Sequence, residues 1–179
     1  LQGAIVECGV FKGASFCRWA MFRQLFETQE SRKLIGFDVF GKFPTTSYEH
    51  DLLPRQSFVN NAGDSSITKE NLIECLRLKN ADGNVTLIEG DINKVLPEYC
   101  EANPQLRIAL LNLDTDIYEP AVTILKHLWP RIVTGGVLLL DDYGVFPGET
   151  KAVDEYFFSN PQTIEKLPFA ATPSFIVKR

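Results

Sequence analysis

Two stretches of this sequence end an apolar run abruptly in carboxylates: Leu110-Leu111-Asn112-Leu113-Asp114-Thr115-Asp116 and Leu138-Leu139-Leu140-Asp141-Asp142. Each has the length of a buried parallel strand, which delivers its last side chains to the rim of a sheet. Four aspartates, Asp114, Asp116, Asp141 and Asp142, are therefore expected to meet at one edge. Carboxylates crowded in a partly desolvated place repel one another and need either a protonated member or a cation among them. The chemistry these residues suggest is a divalent-metal site; the alternative is that they are solvated residues closing two strands.

The elements that must position them follow a regular alternation. Ala4-Ile5-Val6 is a short strand that runs into Glu7-Cys8-Gly9-Val10-Phe11-Lys12-Gly13, and a helix spans about 14–28. Strand, glycine-bearing turn and helix make the first unit of a nucleotide-binding α/β sheet. The helix carries Phe16, Trp19, Ala20, Phe22, Arg23 and Phe26 mostly at helical spacing, which reads as a core face. A second strand over 33–38 ends in Asp38, an acid where such folds hydrogen-bond the hydroxyls of an adenosine ribose. Residues 39–66 show no persistent period and read as a long loop, either for acceptor binding or subunit contact or as a plain surface loop, in which His50 either reaches a substrate or is simply exposed. A helix over 67–79 capped by Thr68 or Ser66, a strand over 85–89, and a helix from about Ile92 to Ala102 follow. Asp91 is a further strand-end acid, suited to the exocyclic amine of a base or to capping that last helix. The fourth strand spans 107–113 and its helix about 119–131, with Pro120 in the first turn. Thr134-Gly135-Gly136 ends this helix and feeds a strand over 137–140. After a turn-rich loop, a helix covers 151–158, and two short strands around 164–167 and 174–177 close the chain as a hairpin. Five alternations imply an α/β, doubly wound, largely parallel sheet covered on both faces, with ligands at the carboxyl ends of the strands. Glu7, Asp38, Asp91, Asp114, Asp116, Asp141 and Asp142 all fall at those ends.

At 179 residues the chain fits one domain, 1–179, able to bury roughly 70% of the surface its unfolded form exposes. Apolar residues at 45% and charged residues at 23% exclude disordered, collagenous and coiled-coil classes. A net charge of -5 argues against broad nucleic-acid or anionic-membrane binding. Cys8, Cys17, Cys75 and Cys100 are widely spaced, with no C-x-x-C pair, and read as reduced thiols, not a zinc or redox site. No apolar run approaches a membrane span and no leader pattern opens the chain, so a cytoplasmic location is the expectation. The start at Leu1, directly before a strand, suggests that something N-terminal is missing.

The motifs together resemble a known family. The turn E-x-G-x-x-x-G (Glu7 to Gly13), D-x-F-x-x-F-P (Asp38 to Pro44), L-D-x-D-x-Y-x-P (Leu113 to Pro120) and D-D-Y-G…P-G…A-V-D-E (Asp141 to Glu155) are similar to those of the macrocin-type sugar O-methyltransferases. The resemblance implies a class I methyltransferase fold, a seven-stranded Rossmann-like sheet with a C-terminal antiparallel hairpin. It also implies S-adenosylmethionine and Mg2+ (or another divalent cation) as cofactors, and a polyol or glycosylated small molecule as acceptor. Carried over by position, it makes Asp114, Asp141 and Asp142 metal ligands and Asp116 the general base. Glu7 and Gly9 fall to the cofactor's methionine end, Asp38 to its ribose, and Asp91 with Ile92 to its adenine, with Gly13, Ser15 and Asp114 also among the cofactor-binding residues. Family members also carry helical N-terminal lid segments that this chain lacks, and a homo-oligomer is compatible with the pattern.

The chemistry stands without the resemblance. A sugar hydroxyl holds its proton at neutral pH, and a divalent cation on hard carboxylate oxygens stabilises the alkoxide. Three other readings remain open: a methyltransferase for catechol-like aromatics, a metal-dependent D-x-D glycosyltransferase, and a non-catalytic adenosine-binding module. The doubled Asp141-Asp142 favours the sugar family over the catechol type. The lack of basic residues between Asn112 and Glu119 weighs against a diphosphate-handling glycosyltransferase.

Overall fold

The apolar runs become the central strands of a single seven-stranded sheet in a computed structural model that describes residues 1–179. The strands are β1 (Ala4–Cys8), β2 (Leu34–Asp38), β3 (Val85–Glu89), β4 (Ile108–Leu113), β5 (Ile132–Leu140), β6 (Glu165–Lys166) and β7 (Ser174–Val177). Their order is β3-β2-β1-β4-β5-β7-β6, with β1 to β5 mutually parallel and β7 antiparallel to both of its neighbours. Sequence order reverses between β1 and β4, which opens a crevice beyond the carboxyl ends of those two strands.

Six helices accompany the sheet: α1 (Ala14–Phe26), α2 (Leu52–Ala62), α3 (Lys69–Leu78), α4 (Ile92–Ala102), α5 (Tyr118–Leu128) and α6 (Pro147–Phe157), of which α2 contributes to neither core face. One face buries Val6, Phe37, Leu111, Leu113 and Leu138 under residues of α4, α5 and α6. The other packs Leu34 and Val10 against Phe16 and Ala20 of α1 and Leu72 and Leu76 of α3. Strands buried on both faces read as continuous apolar runs, which is why β4 and the end of β5 were legible as such. No helix is long and apolar enough to cross a membrane. The four cysteines are free, Cys8 and Cys100 fully buried.

The structure corrects several expectations. Residues 39–66 are not one loop: a short 3-10 turn (Glu49–Asp51) leads into α2. No side chain of α2 is buried, so no apolar period marked it. Helix α1 turns only part of its apolar set inward. Phe16, Ala20 and Arg23 face the sheet at helical spacing, whereas Phe22 and Phe26 lie on the far side and are exposed. Arg23 is buried because its guanidinium donates to the carbonyls of Arg32, Ala81 and Gly83. Strand β5 begins at Ile132, not Val137: its register against β4 jumps between Ile132 and Val137, and Gly135 supplies the positive φ of 81° the bulge needs. Helix α6 starts at Pro147 rather than Lys151, with the proline in the first turn where its missing N–H costs nothing.

Candidate functional site

Adjacent strands β1, β4 and β5 bring the aspartates together. Cys8 is in register with Leu113, and Leu113 with Leu140. The ladder continues one step beyond the strands, because Asp114 N–H donates to the Cys8 carbonyl at 3.0 Å and Asp141 N–H to the Leu113 carbonyl at 3.1 Å. Asp114 and Asp141 are thereby set side by side. Gly9, at φ 90°, allows this approach: a Cβ there would lie 1.6 Å from the Asp114 carbonyl oxygen.

Carboxylate oxygens of Asp114, Asp141 and Asp142 all lie within 4.8 Å of one another. Asp116 stands next to them in a left-handed conformation, φ 61°, which aspartate tolerates better than most residues. The electrostatics are those of crowding. Burial, then the charges of Asp141 and Asp142, hold the Asp114 carboxyl well above the ordinary carboxylate range. Burial and Asp142 do the same to Asp116, and burial with Asp141 pushes Asp142 up to about 6. Oδ2 of Asp142 is buried without a hydrogen-bond partner.

A cavity of about 880 Å³ opens beside this cluster. It is lined by Gly9, Ser15, Asp38, Asp91 and Ile92 on one side and by Asp114, Asp116, Asp141 and Asp142 on the other. Of the residues singled out in the sequence, Glu7 and Gly13 lie behind its wall. Glu7 is wholly buried; its Oε1 accepts from Trp19 Nε1 and Asn112 Nδ2. Gly13 ends the turn before α1 and packs beneath Leu72. Asp38 lines the cavity, yet its carboxylate already accepts three backbone N–H groups: Val10 and Phe11 at Oδ2 and Phe40 at Oδ1. Asp91 lines it while capping α4 by accepting from Asn93 N–H. The far wall comes from the 39–66 segment through Phe43, Thr46, Ser47 and Phe58, and Glu119 fastens it by accepting from Thr46 Oγ1 and Ser47 N–H. His50 is exposed against the Tyr48 ring and does not line the cavity.

Two buried acids beside the site were not singled out in the sequence. Asp51 accepts from Tyr118 N–H and Gly148 N–H, and Glu149 Oε1 accepts from Asp142 N–H. Pro54, two residues into α2, and Pro147 at the start of α6 mark the neighbouring helix starts in the sequence, but nothing there distinguishes either acid as buried.

The sequence model of the macrocin-O-methyltransferase (TylF) family matches residues 1–167. The chain belongs to this family. The 8-demethyl-8-(2,3-dimethoxy-alpha-L-rhamnosyl)-tetracenomycin-C 4'-O-methyltransferase of Streptomyces olivaceus is 29% identical over 149 residues, covering 81% of this chain and 54% of that protein. The demethyldecarbamoylnovobiocin O-methyltransferase of Streptomyces niveus is 35% identical over 75 residues, covering 42% of this chain and 27% of that protein. The chain thus spans about half the length, or less, of these curated relatives. The calicheamicin methyltransferase CalS11 superposes with a TM-score of 0.84 at 26% identity, covering 99% of this chain and 72% of that one.

This macrocin O-methyltransferase family member presents a donor set whose chemistry fits a hard divalent cation: three carboxylates converging from two strand ends, one with an orphaned buried oxygen. The cavity is of the size that small-molecule cofactors occupy. Glu7 gives a separate handle on the site's electrostatics. Burial, opposed first by Ser15 and then by the Asn112 and Trp19 hydrogen bonds, pushes its carboxyl from 4.5 up to about 7. A raised folded pKa favours the neutral form, so this group's contribution to stability is full below pH 4.5 and is lost as pH rises to about 7. Glu7→Gln keeps an accepting oxygen and does not ionise. It is expected to gain stability on wild type between about pH 5 and about pH 8, by at most about 3 kcal/mol. Denaturant unfolding at both pH values measures this, and a pH-independent difference would contradict it.

Proposed function

We propose that this chain carries out S-adenosylmethionine- and divalent-cation-dependent methyl transfer to a hydroxyl of a glycosylated small molecule. The observation that carries the reading is the convergence of Asp114, Asp141 and Asp142 on the edge of a cofactor-sized cavity in a member of this family. The rhamnosyl-bearing acceptor named for the Streptomyces olivaceus relative supports the acceptor class.

In this reading Asp114, Asp141 and Asp142 hold the cation. When bound, it supplies Lewis acidity to the acceptor oxygen, and hard oxygen ligands favour magnesium. Asp116, beside the ligands and on the cavity wall, would be kept ionised by the bound cation and would take the hydroxyl proton on a carboxylate oxygen as the acceptor's own oxygen attacks the methyl carbon and the sulfur–methyl bond breaks. S-Adenosylmethionine supplies the methyl group from its sulfonium. Gly9 and Ser15 border the cofactor's methionine end, with Glu7 and Gly13 shaping that wall from behind, and Asp91 with Ile92 faces the adenine. Asp38 serves twice: its amide bonds hold the glycine turn, and Oδ1, with one amide partner, keeps a lone pair for a ribose hydroxyl. The 43–58 wall, which carries Phe43, Thr46, Ser47 and Phe58, forms the acceptor side. An acceptor seated against that side would exclude water and be held close to the methyl donor.

The test is methyl transfer from radiolabelled S-adenosylmethionine to a panel of rhamnosides and other glycosides, with and without a chelator. Label incorporated only when divalent cation is present is the expected result. Incorporation that is indifferent to chelator removes the cation from the mechanism.

A further inference from the structure

Between Phe40 and Leu72 a single residue is buried, and it is an acid: Asp51, fully inaccessible, at the start of α2. Long segments are ordinarily anchored by apolar side chains, which carry no desolvation cost. Asp51 does not cap its own helix. Its carboxylate instead reaches across the fold to two other helix starts. Oδ2 accepts from Tyr118 N–H at 2.9 Å in the first turn of α5, and Oδ1 accepts from Gly148 N–H at 2.7 Å in the first turn of α6. Both are otherwise orphaned N-terminal donors, and both helix dipoles favour an anion there.

These two helix starts belong to the loops that carry the site. Asp116 is two residues before Tyr118, and Asp142 lies in the loop that leads from β5 into α6 just before Gly148. A second pair of bonds ties the loops directly: Glu149 N–H donates to the Asp116 carbonyl at 3.2 Å, and Asp142 N–H donates to Glu149 Oε1 at 3.1 Å. Gly148 leaves room for the clamp, since a Cβ there would lie 2.0 Å from Asp51 Oδ2. A further carboxylate beside an acidic cluster is electrostatically costly, and an apolar anchor avoids that cost. The arrangement is explained by what the carboxylate alone can do, which is to accept from both loops at once.

We propose that Asp51 is a positioning residue, resting on the metal and methyl-transfer reading above: its carboxylate fixes the Asp116 and Asp142 loops relative to each other and joins both to the acceptor-side segment. Asp51→Asn tests it, because an amide keeps the shape and one acceptor but presents N–H to the other helix start. The probe is Mn2+, titrated by electron paramagnetic resonance into the cofactor-free protein. The expected result is about tenfold weaker Mn2+ binding and faster amide exchange at Tyr118 and Gly148. Cofactor affinity should hold within about twofold, with kcat lowered and KM for cofactor unchanged. Should Asp51→Asn fail to fold, amide exchange of the wild-type protein decides: slow exchange at Tyr118 and Gly148 is expected, and exchange as fast as at unprotected helix N-termini overturns the proposal. Wild-type Mn2+ affinity in the folded variant overturns the proposal, as does parallel loss of Mn2+ and cofactor binding, which is general loosening. A wild-type protein that itself takes up no Mn2+ overturns the metal reading, a distinct failure.

Discussion

Replacing Asp142 by alanine is expected to weaken divalent-cation binding by at least about 100-fold, since even partners outside the coordination sphere are worth about 10- to 100-fold. The side chain is placed for direct ligation: its oxygens converge with those of Asp114 and Asp141, and Oδ2 is buried with nothing else to bond. The same substitution removes one charge from a cluster in which Asp142 raises the cost of ionising both Asp114 and Asp116. In the absence of metal the variant is therefore expected to melt no lower than wild type on electrostatic grounds. Loss of metal affinity without loss of fold separates a ligand from a structural residue. A calorimetric metal titration of Asp142→Ala that matched wild type would take Asp142 out of the site.

Asp116→Asn is expected to leave both cofactor and metal affinity within a few-fold of wild type and to cost about 100-fold or more in turnover, the range for removing a general base. The asparagine preserves the left-handed backbone at this position, because its short polar side chain tolerates positive φ as aspartate does. What it loses is the capacity to accept a proton. Single-turnover kinetics with saturating metal isolate the chemical step. Unchanged turnover would pass the proton to another acceptor, and a matching loss of metal affinity would make Asp116 a ligand.

Most of the architecture was legible because buried parallel strands are nearly uniform apolar runs. Each of the five parallel strands ends where Gly, Asp or Glu begins, so the rim acids could be placed before any contact was known. The features that were not legible are those written in tertiary contacts. Asp51 sits 67 and 97 residues from its two partners, in a stretch whose helix buries nothing and so carries no period. Glu149 reads as an ordinary first-turn acid until α6 is docked and its carboxylate is found fully buried against Asp142. Phe22 and Phe26 mislead in the opposite sense: aromatic residues on a helix suggest core, but the angular step per residue carries them past the sheet. At Asp38 the acid at the strand end was evident, and its bond from Phe40 N–H is a local turn, while the two amides of Val10 and Phe11 depend on how the glycine turn after β1 packs beside it.

The central claim is that the cavity bordering Asp114 takes S-adenosylmethionine and that chemistry there requires the carboxylate-bound cation. Isothermal titration of the wild-type chain with S-adenosylmethionine, in chelator and again in magnesium, with product assayed after addition of a glycoside acceptor, tests it most directly. The account predicts saturable one-to-one cofactor binding in both conditions and methylated product only with magnesium. No binding at cofactor concentrations up to about 1 mM would contradict it.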